Sequence, residues 1–589
     1  MNPRQRSCPA AIWRPVLANL PVARSGGARA LFLCTALLTA AIFWWARGFA
    51  STHAATRLSP IFVYLFTALD APATACALLV IVAAAFVPQK HSFRPLLGWT
   101  GDHIWPIAGV VCAVLCIGTL LVYRNYPPTM DEFAPYFQSQ VFAAGHLAGQ
   151  FPPGLVDWLV PTDFQHQFLF VSHSSGRVAS AYWPAFALLL TPFTFIGASW
   201  ACNPVISALT LLAIHRLALR IFADRETAGL AVLLTLASPV FFIDGVSFYS
   251  MPAHLLTNCV FALLLLDPTP WRALAAGLVG SIALTLHNPV PHILFAVPWI
   301  LAIARRRDAA KLVGCLLAGY LPLCLLLGLG WAVFIGGVAQ DGAATAAPVA
   351  PPDGFLARVT SVFSLPDSSI LLARWIGIVK VWVWAVPGML ILALAGAWRW
   401  RHNLHCRLLV ASALVTLVGY VLVPVDQGHG WGYRYFHSAW MVLPLLAAGA
   451  LQRVPVGIQQ GPAMVQPFLE RLPEEAGVRT YLVACALLTL ILGWGLRALQ
   501  VRDFVSARMA ETPAYTGTEH RVVVMDPNVG LDPTRDDPWL RGNVIYMVGH
   551  GPASDAVMMR EYFPDMHRVF TDPRGSVWST APAAVSRRP

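Results

Sequence analysis

Long apolar runs separated by short arginine-rich segments limit most strongly what this chain can form. One of them, Ile104–Tyr123, has no charged residue over about 20 positions, the length that a helix needs to cross the hydrocarbon core of a bilayer. In the whole chain 57% of residues are hydrophobic and 12% are charged, whereas soluble domains have about 25% charged residues. The pattern predicts an all-α polytopic membrane protein.

The apolar runs predict about thirteen transmembrane helices, several of them nearer 15 than the usual ~20 residues in length. The predicted spans are 30–46, 61–87, 104–123, 202–219, 229–243, 252–266, 273–286, 290–303, 312–335, 376–397, 408–423, 439–451 and 481–496. The second span is expected to be broken at Asp70–Pro72. A short run with two prolines, Tyr182–Ile196, is either another span or a helix lying in the membrane interface.

The basic residues decide between these alternatives, because cytoplasmic loops carry an excess of Lys and Arg. If Tyr182–Ile196 lies in the interface, all dense basic clusters fall on one side: the N-terminal tail 1–29, Arg216, Arg305–Arg307 and 399–407. The N-terminus is therefore predicted to be cytoplasmic. The net charge of +11 is explained by topology, so no nucleic-acid partner is expected.

We divide the chain into a cytoplasmic tail (1–29), a transmembrane domain (30–499) and an outer domain (500–589). The transmembrane domain contains two long outer loops, at 124–199 and 336–374. The outer domain is predicted to be a small α/β unit, because its alternating apolar segments read as strands and a helix. The expected elements are strands at Arg521–Asp526, Asn543–Val548 and His567–Asp572 and a helix at Pro552–Phe563.

Four polar segments are predicted to lie on the outer face, and polar residues in a membrane protein mark functional sites by default. These segments are Asp131-Glu132, Asp244–His254, His287–His292 and Asp426–His437. The candidate substrate-binding residues in them are Asp244, His254, His287, His292, Arg434 and Tyr435. None of the eleven cysteines forms a CxxC pair, so no metal site is predicted.

Each segment also has a purely structural interpretation. Thr129 and Glu132 fit a capping box, so the two acids could simply begin a helix, although Pro135 weakens this interpretation. Capping and catalysis are about equally supported by these residues alone. Histidines and asparagine at 287–292 could form an ordinary polar turn, whereas Arg434 is harder to dismiss, since most other arginines are predicted inside.

The sequence resembles the GT-C superfamily of membrane glycosyltransferases, most closely the branch of protein O-mannosyltransferases and aminoarabinose transferases. The resemblance is greatest where Asp131-Glu132 opens an aromatic helix that ends in AAGHLAG, followed by the segment YWPAFALLLTPF. It continues through NPVISALTLLAIHRLALRIFADR and LASPVFFIDGVSFYSMPAHLL to the late segment GYRYFHSAWMVLPLLA. The second outer segment offers Asp244 and His254 where many members have an arginine and an acid.

The resemblance implies a transferase that moves a hexose or pentose from a polyprenyl-phosphate donor to an acceptor hydroxyl. Asp131 would be the general base, with Glu132 beside it, and Arg434 would contact the donor phosphate. It further implies a bacterial inner membrane, with the outer domain periplasmic or extracellular. The acceptor would be a glycan, lipid or protein; no cofactor is expected, and a divalent cation is left open.

The residue types suit this chemistry. A base takes the proton of the acceptor hydroxyl, and burial in a membrane groove is expected to raise the pKa of Asp131. The phosphate leaving group needs cationic stabilisation, and a single catalytic carboxylate predicts inversion at the anomeric carbon. The alternative function is a transporter or flippase for a lipid-linked or small polar substrate, which would favour internal repeats and polar groups at the bilayer midplane.

Overall fold

Apolar helices make up most of the computed structural model, which describes residues 26–52, 59–88, 93–340, 365–423, 428–452, 476–513, 515, 517–527 and 535–580. The helices, labelled in chain order, are α1 (Gly26–Thr52), α2 (Pro60–Ala85), α3 (Arg94–Asp102), α4 (Ile104–Leu121), α5 (Met130–Ala143), α6 (Val156–Leu159), α7 (Ala185–Phe195), α8 (Cys202–Phe222), α9 (Arg225–Ala237), α10 (Pro239–Val246), α11 (Met251–Leu265), α12 (Pro270–Thr285), α13 (Val290–Ala304), α14 (Ala309–Ala339), α15 (Ser368–Val383), α16 (Met389–Arg399), α17 (Leu404–Val421), α18 (Arg434–His437), α19 (Val442–Ala450), α20 (Ala476–Met509) and α21 (Pro552–Tyr562).

Three small sheets accompany these helices. The strands are β1 (Gly149–Gln150), β2 (Leu169–Val171), β3 (Arg177–Ser180), β4 (His429–Gly430), β5 (Gly432–Tyr433), β6 (Arg521–Met525), β7 (Val544–Val548), β8 (His567–Asp572) and β9 (Gly575–Ser579). The first sheet, β1-β3-β2, lies in the first outer loop, and β4 and β5 form a hairpin. The largest sheet belongs to the C-terminal domain.

Seven helices of the described chain are long and apolar enough to cross a membrane, or eight if the bent pair α9 and α10 is one span. The shorter apolar helices include α7, α11, α13 and α16. Helix α7 is the run for which the basic residues favoured an interfacial position. Its 11 residues extend only about 16 Å, well short of the ~30 Å hydrocarbon core. The fold is that of a multi-pass helical membrane protein, while the count of about thirteen spans stays a prediction.

Two runs predicted as single spans are broken by proline. The predicted span 229–243 is divided at Ser238, and α9 and α10 are bent by 62° there, because Pro239 has no backbone N–H to continue the helix. The predicted span 376–397 is divided between α15 and α16, where Pro387 precedes Gly388 with a φ of +87°. Hydropathy identified the apolar residues correctly but did not register these backbone breaks. By contrast, α2 continues past Asp70–Pro72 through a π-helical turn.

The C-terminal domain is the small α/β unit that the sequence predicts. Its strands lie in the order β7-β6-β9-β8, with β6 parallel to β7 and antiparallel to β9. Strand β9 was not predicted. Helix α20 continues to Met509, beyond the predicted domain boundary at 500, and the helices on either side of the predicted loop 336–374 also extend into it. Residues 1–25 and 341–364 lie outside the described residues.

The first outer loop and the C-terminal domain share one hydrophobic core. Phe133 and Phe137 of α5 pack with Val522 and Val524 of β6 and with Met558 of α21. Burial of apolar side chains of this size is the main force that holds such a unit together. Because they are in contact, the loop and the domain lie on the same side of the membrane.

A buried ionic cluster joins α2, α15 and α20. The carboxylate of Asp70 lies 3.1 Å from Lys380 Nζ and 2.8 Å from Arg497 Nη2. Trp384 donates a hydrogen bond of 2.8 Å to the same carboxylate. The three charged side chains are at most 2% exposed, so each relies on the others for compensation.

We expect Asp70→Asn to lower the free energy of unfolding by about 3–5 kcal/mol, because Lys380 and Arg497 would remain buried without their counter-ion. The measurement is unfolding of the purified protein in detergent. The matched control is Asp102→Asn, whose partner Arg225 is 74% exposed and whose loss is expected to change stability by less than about 1 kcal/mol. Equal effects of the two substitutions would contradict a stabilising role for the cluster.

Candidate active site

Asp131 lies in the first turn of α5 and is held by two partners from distant parts of the chain. Arg434 Nη1 is 2.6 Å from Asp131 Oδ2, and the Tyr182 hydroxyl donates a hydrogen bond to Oδ1. Thr129 is the N-cap residue, but its side chain makes no capping hydrogen bond to the backbone. The capping box between Thr129 and Glu132 therefore does not form. The carboxylate of Asp131 makes tertiary contacts rather than only beginning the helix.

A tight hairpin places Arg434 against Asp131. Strands β4 and β5 pair around Trp431, and Gly432 has a φ of +77°, a conformation that L side chains rarely adopt. A Cβ at Gly432 would also lie 2.7 Å from Val240. The Arg434 guanidinium is 5.1 Å from the centre of the Tyr249 ring, within the range of a cation–π contact. The arginine is thereby fixed at the wall of the site.

The electrostatic environment keeps Asp131 ionised. Burial raises the pKa of its carboxyl, but Arg434, His287 and Tyr182 together outweigh burial, so the pKa lies below its usual value. The sequence-based prediction of a raised pKa was wrong because it considered burial without the arginine. Burial lowers the pKa of His287 to about 4, with Asp131 opposing and Arg434 assisting. His287 is therefore neutral at pH 7, and its ring packs 4.0 Å from that of Tyr182.

Glu132 has a different environment from its neighbour. Its side chain is fully buried, receives a hydrogen bond of 3.1 Å from the backbone N–H of Phe248, and receives another of 3.0 Å from the Thr129 hydroxyl. Burial raises the pKa of Glu132 to about 8, although hydrogen bonds from Tyr123, Phe248 and Thr129 oppose this shift. The carboxyl is thus mostly protonated at pH 7 and ties α5 to the segment that follows α10.

The Asp131–Arg434 pair forms part of the wall of two cavities. The first, the histidine cavity, has a volume of about 300 Å³ and is also lined by His254, His287, Asn288, Tyr435 and Ser438. The second, the aromatic cavity, has a volume of about 200 Å³ and is also lined by Phe62, Phe168, Tyr249, His429, Trp431 and Phe504. A larger cavity of about 500 Å³, between the first outer loop and the C-terminal domain, contains neither residue of the pair.

The structure brings together five of the residues selected from the sequence: Asp131, His254, His287, Arg434 and Tyr435. Two others are used elsewhere. His292 Nδ1 and Nε2 are both 2.7 Å from hydrogen-bonding partners, Asn258 and Tyr320, and Asp244 lies 2.8 Å from His437. These two residues support the helices behind the cavity rather than lining it. Asp426, the first residue of the late polar segment, lies outside the described residues.

Sequence reasoning missed Tyr182 and His429. Tyr182 was treated only as the start of an apolar segment, although a tyrosine at the outer end of such a segment is well placed to meet a polar group. His429 is 2% exposed and lines the aromatic cavity. Within the described residues, no group of three or more His, Cys, Asp or Glu is arranged to hold a metal ion.

Comparison with solved structures finds a similar fold in ArnT from Cupriavidus metallidurans bound to undecaprenyl phosphate. The TM-score is 0.50 and the identity 12%, over 82% of this chain and 99% of that one. The same protein in its apo state gives a TM-score of 0.49 and 13% identity, over 81% and 97%. No protein-family model matches this sequence, and comparison with curated proteins finds no significant match. The chain has the GT-C fold, as the sequence resemblance predicted.

The protonation of Glu132 predicts a pH-dependent stability. The pKa of Glu132 in the folded protein, about 8, lies above the ordinary value of 4.5. The contribution of neutral Glu132 to the free energy of unfolding is therefore fully present below pH 4.5 and is lost progressively as the pH rises to 8. The slope is at most about 1.4 kcal/mol per pH unit. We expect Glu132→Gln, which cannot ionise, to unfold at a progressively higher temperature than wild type between pH 5 and 8. A constant difference between the two proteins across this window would contradict the assignment.

Proposed function

We propose that this protein is a membrane glycosyltransferase that transfers a sugar from a polyprenyl-phosphate donor to an acceptor hydroxyl. The observation that supports this most directly is the pairing of an ionised carboxylate with an arginine at the wall shared by two cavities. The GT-C fold supports the class of enzyme. The crystal structure of ArnT with undecaprenyl phosphate supports a polyprenyl-linked donor.

In the proposed reaction, Asp131 accepts the proton of the acceptor hydroxyl as its oxygen attacks the anomeric carbon. The bond between that carbon and the phosphate oxygen breaks, and the polyprenyl phosphate leaves with one additional negative charge. Arg434 stabilises this charge. Asp131 is the only carboxylate among the described residues that line the two cavities, which favours direct displacement with inversion over a covalent intermediate.

The Asp131–Arg434 contact links donor binding to the strength of the base. In the unliganded protein Arg434 holds the pKa of Asp131 down, which makes the carboxylate a weak base. A donor phosphate that pairs with Arg434 would take part of this stabilisation away from Asp131. The pKa of Asp131 would then rise towards its usual value or above it, so the base would become effective once the donor is bound.

We assign Asp131 alone as the base and treat Glu132 as a positioning residue. The Glu132 carboxyl accepts hydrogen bonds from the Thr129 hydroxyl and the Phe248 backbone N–H. It lines neither the histidine cavity nor the aromatic cavity. We further propose that the protein resides in a bacterial inner membrane, with the first outer loop and the C-terminal domain in the periplasm. The sugar and the acceptor would be identified by comparing the envelope lipids and glycans of a deletion strain with those of its parent.

We expect Asp131→Asn to reduce transfer by roughly 10²–10⁴-fold, the usual contribution of a general base. Binding of undecaprenyl phosphate should be unchanged or tighter, because Arg434 loses a competing partner. The assay measures transfer of labelled sugar from an undecaprenyl-phosphate donor into membranes of a deletion strain. Asp163→Asn, which alters an exposed carboxylate of the same loop, serves as the control. Full transfer by Asp131→Asn would exclude Asp131 as the base.

Substitution Arg434→Gln is expected to weaken binding of undecaprenyl phosphate about tenfold or more, since a hydrogen bond to a charged group contributes about 1.5–3 kcal/mol. Arg124→Gln is the matched control, because Arg124 is an exposed arginine in the first outer loop and lines neither cavity. Binding would be measured with the protein in lipid nanodiscs. Equal affinities for the two variants would remove Arg434 from the phosphate site.

A further inference from the structure

The histidine cavity contains buried polar groups that have no hydrogen-bond partner in the unliganded protein. Both ring nitrogens of His254 are unpartnered, as are Nδ1 of His287 and Oγ of Ser438. His254 and Ser438 are each 3% exposed, and all three residues line the cavity. Buried polar groups in native proteins are normally hydrogen-bonded, so a ligand is the natural source of the missing partners.

His292, which lies behind the cavity, differs from the histidines that line it. His292 is 1% exposed and behind the cavity, and both of its ring nitrogens have partners. Through Asn258 it is connected to the backbone carbonyl of Ser438, which accepts a hydrogen bond of 3.0 Å from Asn258 Nδ2. The network thus fixes the backbone of Ser438 and leaves its hydroxyl free for a ligand.

The chemistry of the lining selects the kind of ligand. A neutral imidazole offers one donor and one acceptor, and a serine hydroxyl offers both. Such groups complement hydroxyls, which also donate and accept, whereas the ionic groups of this wall are already paired as Asp131 and Arg434. The volume of about 300 Å³ is at the lower end of the ~300–1,000 Å³ typical of small-molecule sites.

We propose that the histidine cavity is a sugar-ring site in which His254, His287 and Ser438 recognise ring hydroxyls next to Asp131. This inference rests on the proposed function. The ring belongs either to the donor sugar or to a sugar of the acceptor, since both must reach Asp131. The aromatic cavity, where Phe62, Trp431 and Phe504 accompany Arg434, takes the phosphate end of the polyprenyl chain.

The test compares bare undecaprenyl phosphate with undecaprenyl phosphate that carries glucose, galactose, mannose, arabinose or 4-amino-4-deoxyarabinose. Binding is measured with the full-length protein in nanodiscs, and transfer into deletion-strain membranes is measured in parallel. If the donor sugar occupies the cavity, at least one glycosylated lipid binds about tenfold more tightly than the bare lipid. His254→Phe and Ser438→Ala each abolish most of this gain, since one hydrogen bond accounts for roughly a factor of ten, without weakening the bare lipid.

If an acceptor sugar occupies the cavity, donor affinities stay the same in these variants. The amount of deletion-strain membrane needed for half-maximal transfer then rises about tenfold. His254→Gln, which keeps a donor and an acceptor, should restore most of either effect. Ser438→Ala removes a single oxygen, so it provides the same test if His254→Phe does not fold.

His429→Phe is the matched control, because His429 is equally buried and lies in the aromatic cavity. The wild-type protein must first bind the lipid and transfer sugar. The proposal is then overturned if His254→Phe and Ser438→Ala change neither the gain in lipid affinity from the sugar nor the amount of membrane needed for half-maximal transfer by more than twofold. It is also overturned if His429→Phe, rather than His254→Phe, abolishes the gain from the sugar. A wild-type protein that neither binds undecaprenyl phosphate nor transfers sugar would overturn the proposed function itself, and this inference with it.

Discussion

The ion pair between Asp131 and Arg434 connects residues 303 positions apart and joins the chain segments that form the candidate site. It holds the start of α5 against the hairpin that precedes α18, and both cavities include it in their walls. Tyr182 adds a third chain segment to the same carboxylate. The side chains of Arg434 and Asp131 are only 9% and 18% exposed, so water solvates these charges poorly. The fold must therefore hold both side chains in place for the ion pair to form. The geometry of the site therefore depends on the elements that position these three chain segments.

The Asp70 cluster and the C-terminal domain both help to position these segments. The Asp70 cluster fixes α20 to α2 and α15 through Arg497 and Lys380. Helix α20 then continues without interruption to Met509, close to the C-terminal domain. That domain shares a buried hydrophobic cluster with Phe133 and Phe137, which follow Asp131 by two and six residues in α5. A continuous series of packed elements thus connects the buried cluster to α5, with the C-terminal domain against the first outer loop.

Local and compositional signals in the sequence predicted the parts of the structure that depend on local chemistry. Apolar runs predicted the helical membrane fold, alternating segments predicted the strands β6 to β8, and the unusual positions of Asp131 and Arg434 selected them as candidates. Contacts between distant segments carry no local signal, so Tyr182, His429 and the partners of Asp70 were missed. The same limitation explains the wrong direction for the pKa of Asp131, because burial can be anticipated from one segment but the nearby guanidinium cannot. Hydropathy likewise did not distinguish one span from two helices joined at Pro387.

The adjacent acids Asp131 and Glu132 show how the fold separates two chemically similar groups. Consecutive residues of a helix point about 100° apart, so Asp131 meets Arg434 and the cavities while Glu132 enters the packed interior against Phe248. One carboxyl is consequently ionised and the other mostly protonated at pH 7, a separation typical of acid–base sites. Because Glu132 is mostly protonated, it adds little negative charge beside the Asp131–Arg434 pair. In the proposed reaction, burial of Glu132 in its neutral form would keep Arg434 available to the donor phosphate, because a second charged carboxylate beside this arginine would repel that phosphate.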